Sequence, residues 1–262
     1  MMVVKIGGAT GIEYGPVLED ITRFQDVVLV HGGSAELDRV SEELHHPPVM
    51  VTSVSGHVSR RTDRKTLELF TMMLCGKINK LIVERLQQEG VNAFGLSGID
   101  GRLLQGRRKN IIIIEGEKKK LLRDDYTGTV DTVTVDLLSW ILQNGMMPVI
   151  APLALSQDNE AMNVDADRAA AQIAGALHAH TLILLSNVPG LLKDPLDTST
   201  KIDQISRDRI GEFMVYAQGR MKKKVLAAQE ALTQGVERVI VGDARVPEPV
   251  TQALRGRGTV FG

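Results

Sequence analysis

Two stretches decide the fold: VVKIGG at residues 3–8 and VVLVHGGS at residues 27–34. In each, an apolar, mostly β-branched run of strand length stops at a pair of glycines, the punctuation expected where a buried strand turns toward a helix. Helical spacing follows at residues 16–24 and 35–45. Working outward, similar β-branched runs at 92–96, 148–151, 181–185 and 238–241 alternate with helical patterns at 62–88, 133–144, 166–178 and 207–234, with a break expected near Gly219. This alternation predicts an α/β fold with a mainly parallel central sheet covered on both faces. In such sheets ligands bind beyond the carboxyl ends of the strands.

Residues 106–130, GRRKNIIIIEGEKKKLLRDDYTGTV, break the alternation. Their β-rich runs flank the turn candidate Glu115-Gly116-Glu117 and predict an antiparallel excursion. It reads either as a lid or as an exposed hairpin whose Lys118, Lys119 and Lys120 keep an edge soluble. The chain has no Pro-, Gly- or Ser-rich linker and no internal repeat, so two lobes of one catalytic unit are expected.

Hydrophobic residues at 43% and charged residues at 24% exclude a disordered or low-complexity chain. Lys plus Arg number 31 against 32 for Asp plus Glu, a net charge of -1, so no global field recruits nucleic acid or anionic lipid and any basic function is local. Cys75, the only cysteine, excludes an intrachain disulfide and reads as a small core residue, which fits a reducing, cytoplasmic compartment. The segment MMVVKIGGAT lacks the apolar core of a signal peptide, and no apolar run reaches membrane-spanning length.

Glycine turns at strand ends let backbone N–H groups approach an anion, and with Lys5 in the first strand they point to phosphate chemistry. The usual nucleotide signatures are absent: Gly76-Lys77 is followed by Ile78 where a P-loop needs Ser or Thr, and no GxGxxG follows a strand. Asn163, Asp165, Asp167 and Arg168 stand at the start of an Ala-rich helix, where either Asp165 or Asp167 can serve as the N-cap. LLSNVPGLLKD, at 184–194, follows a strand and can shape a pocket for a purine and ribose. GRMKKKV, at 219–225, sets three lysines at a helix start, where the dipole disfavours cations, so an anion is required nearby. Position alone does not say which lysine turns inward.

The segments VVKIGGAT, VHGGSAEL, MNVDADRAAA, LLSNVPGLL and GRMKKKV, in this order, resemble the amino-acid kinase family over nearly the whole chain. VSRRTDRKT, GLSGIDGRL, DYTGTV and DARVPEPV look like the acetylglutamate-kinase relatives of the lysine pathway, which act on aminoadipate attached to the carrier protein LysW. The resemblance implies an open three-layer αβα sandwich, with an acceptor-binding lobe over residues 1–180 and an ATP-binding lobe over 181–262. It implies ATP and Mg²⁺ as cofactors, no protein-held metal site, LysW as an acidic partner, and a homodimer. Lys5 would contact the transferring phosphoryl group, Lys224 would stabilise charge toward the leaving nucleotide, and Asp167 would hold both ammonium groups. Gly7, Gly8, Gly32 and Gly33 would bind phosphate; Gly33, Ser34, Arg60 and Asn163 the acceptor; Ser186, Asn187, Gly190 and Leu191 the nucleotide. Two positions depart from acetylglutamate kinases: Ser34 replaces a third glycine, and Asp165 stands where many carry Asn. The expected activity is phosphorylation of the side-chain carboxylate of LysW-linked α-aminoadipate, with LysW-linked glutamate as a further acceptor. The alternatives are an N-acetylglutamate kinase of arginine biosynthesis and a non-catalytic amino-acid or nucleotide sensor on the same fold.

Overall fold

Each of the six β-branched runs forms a strand of one sheet, and the first two are buried along their whole length, as strands covered on both faces must be. The computed structural model describes residues 1–54, 58–115 and 118–262. Its strands are β1 (Met2–Ile6), β2 (Val27–His31), β3 (Met50–Thr52), β4 (Val58–Arg60), β5 (Ala93–Ser97), β6 (Leu104–Arg108), β7 (Ile111–Glu115), β8 (Lys118–Leu122), β9 (Thr127–Val133), β10 (Met147–Ala151), β11 (Leu153–Ser156), β12 (Ala161–Val164), β13 (Thr181–Ser186), β14 (Gln204–Ile205), β15 (Arg238–Asp243) and β16 (Thr259–Phe261). Its α-helices are α1 (Gly15–Ile21), α2 (Ser34–Glu43), α3 (Arg64–Phe70), α4 (Asn79–Gln88), α5 (Val135–Gln143), α6 (Ala166–Ala176), α7 (Ile210–Phe213), α8 (Gly219–Thr233) and α9 (Pro249–Leu254).

The central sheet runs β14-β16-β15-β13-β1-β2-β10-β5, with β15–β16 its one antiparallel pair. Strand alternation sorts its side chains into two cores. Val3, Val28, Val30, Leu182 and Leu184 face α5, α6 and α8, while Val4, Ile6, Leu29, Ile183 and Leu185 face α1, α4 and α9. The three-layer sandwich is therefore present. Strands from before residue 181 form one half of the sheet and later strands the other, and the two halves meet where β1 pairs with β13.

The expected antiparallel excursion is two structures. β6 and β9 pair antiparallel and close with β11 and β12 into a small four-stranded barrel. β7 and β8 form a separate hairpin, tied back where Ser53 bridges Ile113. Gly116 and Glu117 of the proposed turn lie outside the described residues, as do the side chains of Glu115 and Lys118. The helical pattern expected over 62–88 is α3, a π-helical run Thr71–Ile78 and α4 in succession, and the break near Gly219 falls at the start of α8.

Candidate active site

Period-2 alternation puts Lys5 on the same face of β1 as Val3, toward α6. There it meets Asp167 in the first turn of α6: Lys5 Nζ lies 2.8 Å from Oδ1. Helical spacing places Lys224 on the face of α8 that also carries the buried Ala228 and Ala231, and its Nζ donates to Asp167 Oδ2 at 2.7 Å. All three side chains belong to residues that are only 6% exposed. Burial alone would raise the Asp167 carboxyl, but the ammonium groups of Lys224 and Lys5 more than reverse that and hold it well below the usual carboxylate range. Burial lowers the Lys224 ammonium, with Asp167 opposing.

The N-cap question resolves geometrically. Asp165 has extended backbone and accepts hydrogen bonds from the N–H groups of Asp167 and Arg168, at 3.1 and 3.2 Å, so Asp165 is the cap and Asp167 is free for the lysines. Lys223 pairs with Asp165 at 3.1 Å, Lys222 is exposed, and only Lys224 of the three turns inward. α6 and α8 are held in register by Arg168, which grips Glu230 through Nε at 3.1 Å and Nη2 at 2.6 Å.

The two glycine turns touch. A Cβ built on Gly8 would lie 1.9 Å from the Gly33 nitrogen, and one on Gly32 would lie 2.7 Å from the Gly8 nitrogen, so no other residue fits either position without backbone movement. Ser34 Oγ donates to the Gly8 carbonyl at 3.0 Å, and the Ala35 N–H donates to the same oxygen at 2.8 Å. The serine that replaces a third glycine thus ties the two turns together. Gly7 donates to the Leu185 carbonyl at 2.9 Å, which sets the first turn beside the end of β13.

That end begins the expected nucleotide loop. Ser186 closes β13 and its carbonyl accepts from the Ala244 N–H at 2.7 Å. Asn187 Nδ2 donates to the Thr10 carbonyl at 3.4 Å, linking the loop to the first glycine turn. Gly190 takes φ +152°, and a Cβ there would lie 2.5 Å from Thr259 Oγ1, which itself accepts from the Leu191 N–H at 2.8 Å.

Arg60, at the end of β4, pairs with Asp38 on α2 and stands over the Phe70 ring at 5.6 Å. Its Nη1 is buried and finds no partner among the described residues. Asn163 on β12 donates through Nδ2 to Thr62 Oγ1 at 3.2 Å. Arg60 and Asn163 are therefore joined through the Thr62 segment. That junction was not foreseen in the sequence: Thr62 is fully buried, its N–H donates to Asp125 Oδ2 at 3.0 Å, and Asp125 Oδ1 accepts from the Thr127 N–H at 2.8 Å. The Asp-x-Thr spacing of an Asx turn in DYTGTV was the available signal. Cys75 is partly buried, and burial pushes its thiol up to about 11, in keeping with an inert packing role.

The amino acid kinase family matches residues 1–243. A LysW-aminoadipate kinase of Deinococcus radiodurans is 52% identical over 265 residues, covering 99% of this chain and 91% of its own, and one of Thermus thermophilus is 51% identical over 267 residues, covering 99% of each. Among solved structures, an N-acetylglutamate synthase from Neisseria gonorrhoeae superposes with a TM-score of 0.79 over all of this chain and 59% of that one; at 22% identity this likeness concerns the fold alone. A family match over so much of the chain, on a site assembled from the strand ends that the match spans, makes this protein a member of the amino acid kinase family.

Proposed function

We propose that this chain transfers the γ-phosphoryl group of ATP to the side-chain carboxylate of α-aminoadipate carried by LysW, giving an acyl phosphate, with LysW-linked glutamate as a further acceptor. One observation carries the reading: a buried carboxylate, Asp167, holds two lysines, Lys5 from β1 in one half of the sheet and Lys224 from α8, which packs on β13 and β15 of the other half. The identity to enzymes named LysW-aminoadipate kinases supplies the acceptor.

The acceptor carboxylate is ionised near neutral pH, so the reaction needs no strong base. Its obstacle is repulsion between an anionic nucleophile and a triphosphate, and charge spreads over the equatorial oxygens in the transition state. Fixed donors aimed at that charge supply the catalysis. Lys5 lies beside the glycine turn on the acceptor side and neutralises the transferring group; Lys224 serves the leaving nucleotide. Asp167 sets the spacing of the two. Gly8 and Gly33 offer N–H groups that find no acceptor among the described residues. Arg60 and Asn163 hold the acceptor, and the loop from Ser186 to Leu191 holds the nucleotide, so residues 1–180 and 181–262 act as acceptor and ATP lobes. The sheet order supports that division.

In this reading Mg²⁺ would enter with the nucleotide and would supply charge neutralisation at its phosphates; among the described residues no group of three or more His, Cys, Asp or Glu could hold a metal. The carrier is acidic in this reading, and ion pairs within the chain reduce the basic surface available to it. Arg61 pairs with Asp124, Arg107 with Asp131 at 2.7 Å and Arg108 with Glu160 at 3.1 Å. Arg64 pairs with Glu68 at 3.5 Å, which leaves exposed Lys65 and Lys119 as docking cations in this reading. A homodimer belongs to the same reading, with the exposed Phe94 on edge strand β5 available to a second copy. No helix among the described residues is long and apolar enough to cross a membrane.

The test is hydroxylamine trapping of the acyl phosphate with LysW-linked aminoadipate, LysW-linked glutamate and free N-acetylglutamate in parallel. Hydroxamate from the first supports the reading. Hydroxamate from N-acetylglutamate alone assigns the arginine-pathway activity, and none from any acceptor assigns a sensor.

A further inference from the structure

The carbonyl of Gly32 receives two donors from different parts of the chain. Tyr14, immediately before α1, donates its hydroxyl at 3.0 Å, and Nδ1 of His31 lies at the same distance, 3.0 Å. A carbonyl oxygen only accepts, so Nδ1 carries the ring proton and Nε2 is left to accept from Asn79 Nδ2, 3.2 Å away. The Asn79 amide cannot turn around, because Nδ2 also donates to the Val149 carbonyl at 2.9 Å while Lys80 Nζ donates to Oδ1 at 3.1 Å. Protonating Nε2 would set donor against donor. Burial, with Lys5 and Lys80 nearby, accordingly pushes the His31 imidazole down to about 4, and the ring is neutral at working pH.

Asn79 begins α4 directly after the π-helical run, and Leu74 and Ile78 of that run floor the glycine turn: a Cβ on Gly33 would lie 2.6 and 2.4 Å from their side chains. π-Helical turns of this kind re-aim a helix at functional sites. In a trans peptide the C=O and the following N–H point in opposite directions, so fixing the Gly32 oxygen fixes where the Gly33 N–H points.

We propose that Tyr14 and His31 are positioning residues for phosphoryl transfer, pinning the Gly32–Gly33 peptide so that the Gly33 N–H faces the transferring group. The proposal rests on the phosphotransferase reading above. Its test compares wild type with Tyr14→Phe, His31→Asn and His31→Leu, the asparagine amide nitrogen standing where the imidazole Nδ1 stood. Losing one oriented hydrogen bond makes Tyr14→Phe lower kcat about tenfold, with KM for ATP and for the LysW-linked acceptor within about twofold of wild type. Affinity for ADP stays unchanged, while affinity for ADP with aluminium fluoride, which mimics the transferring group, falls with kcat. His31→Leu loses more, and His31→Asn recovers most of that loss. Should His31→Leu fail to fold, Tyr14→Phe carries the test, since it removes a single oxygen and leaves the ring. Wild-type turnover tests the underlying reading separately, and its absence overturns both. Given that turnover, unchanged kcat and unchanged aluminium fluoride affinity in Tyr14→Phe overturn the positioning role alone, as does a raised KM with unchanged kcat. A folded His31→Asn no better than His31→Leu removes His31.

Discussion

Replacing Asp167 by Asn keeps the shape of the side chain and removes its charge. In the structure that charge sits 2.8 Å from Lys5 Nζ and 2.7 Å from Lys224 Nζ, inside a centre almost closed to water. At an effective dielectric constant of about 20, each contact carries roughly 6 kcal/mol of Coulomb attraction before desolvation is counted. The substitution deletes both contacts and leaves two ammonium groups repelling each other across a neutral amide. Breaking a buried ionic contact by removing one partner costs about 3–5 kcal/mol of stability. The catalytic cost is separate: two misplaced transition-state donors, each worth about 2.7–4 kcal/mol when lost, lower kcat by roughly a hundredfold to a thousandfold or more. KM for ATP changes little, because the phosphates retain the glycine turns. Asp165→Asn is the control. It preserves an N-cap side chain and gives up only the pair with Lys223, a side chain 35% exposed, so its effect stays under about 1 kcal/mol. The assay is ADP release and hydroxamate formation, with thermal unfolding run in parallel. A folded Asp167→Asn enzyme within about threefold of wild-type kcat would refute the proposed task of this carboxylate.

The burial that lowers the Lys224 ammonium predicts an alkaline limb in kcat with an apparent pKa below the ordinary lysine value of 10.5. Between the folded value and 10.5 the unfolded chain binds the extra proton, so stability contributed by this group rises with pH while kcat falls, and Lys224→Arg flattens the limb in a pH–rate profile. Gly8→Ala abolishes turnover, since its Cβ would lie 1.9 Å from the Gly33 nitrogen, whereas Gly15→Ala, whose Cβ meets open space, leaves kcat unchanged in the same assay. Arg60→Ala raises KM for the acceptor at least tenfold, the scale of a lost charge-assisted hydrogen bond, and leaves KM for ATP alone; Arg61→Ala, paired at the surface with Asp124, is the mild comparison, and equal effects would remove Arg60 from the site.

The parts of this molecule that could be read from sequence are those written in short-range periodicity. Val3, Val4 and Ile6 and their counterparts in β2, β10, β13 and β15 alternate between two cores, and that period, with helical spacing between strands, is enough to give a parallel sheet with two helical layers. The same period aims Lys5 at α6, whereas which lysine of GRMKKKV turns toward Asp167 came from the family resemblance and not from spacing. What periodicity cannot encode is pairing at a distance. The barrel of β6, β9, β11 and β12 is assembled from short strands joined in both senses, and β16 turns antiparallel against β15, a choice invisible in the sequence TVF. The two acidic residues at the start of α6 were equivalent as text. They differ because extended backbone at Asp165 brings its carboxylate over the helix's own N–H groups, while Asp167, two residues on, points along the inner face between Lys5 and Lys224. Ion pairing is hidden for the same reason. Arg61, Arg107 and Arg108 pair with Asp124, Asp131 and Glu160, partners 63, 24 and 52 residues away that only the fold brings to them. Thr62 shows the limit most clearly: an unremarkable residue in VSRRTDRKT becomes a buried junction because Asn163 and Asp125, distant in the chain, both close on it.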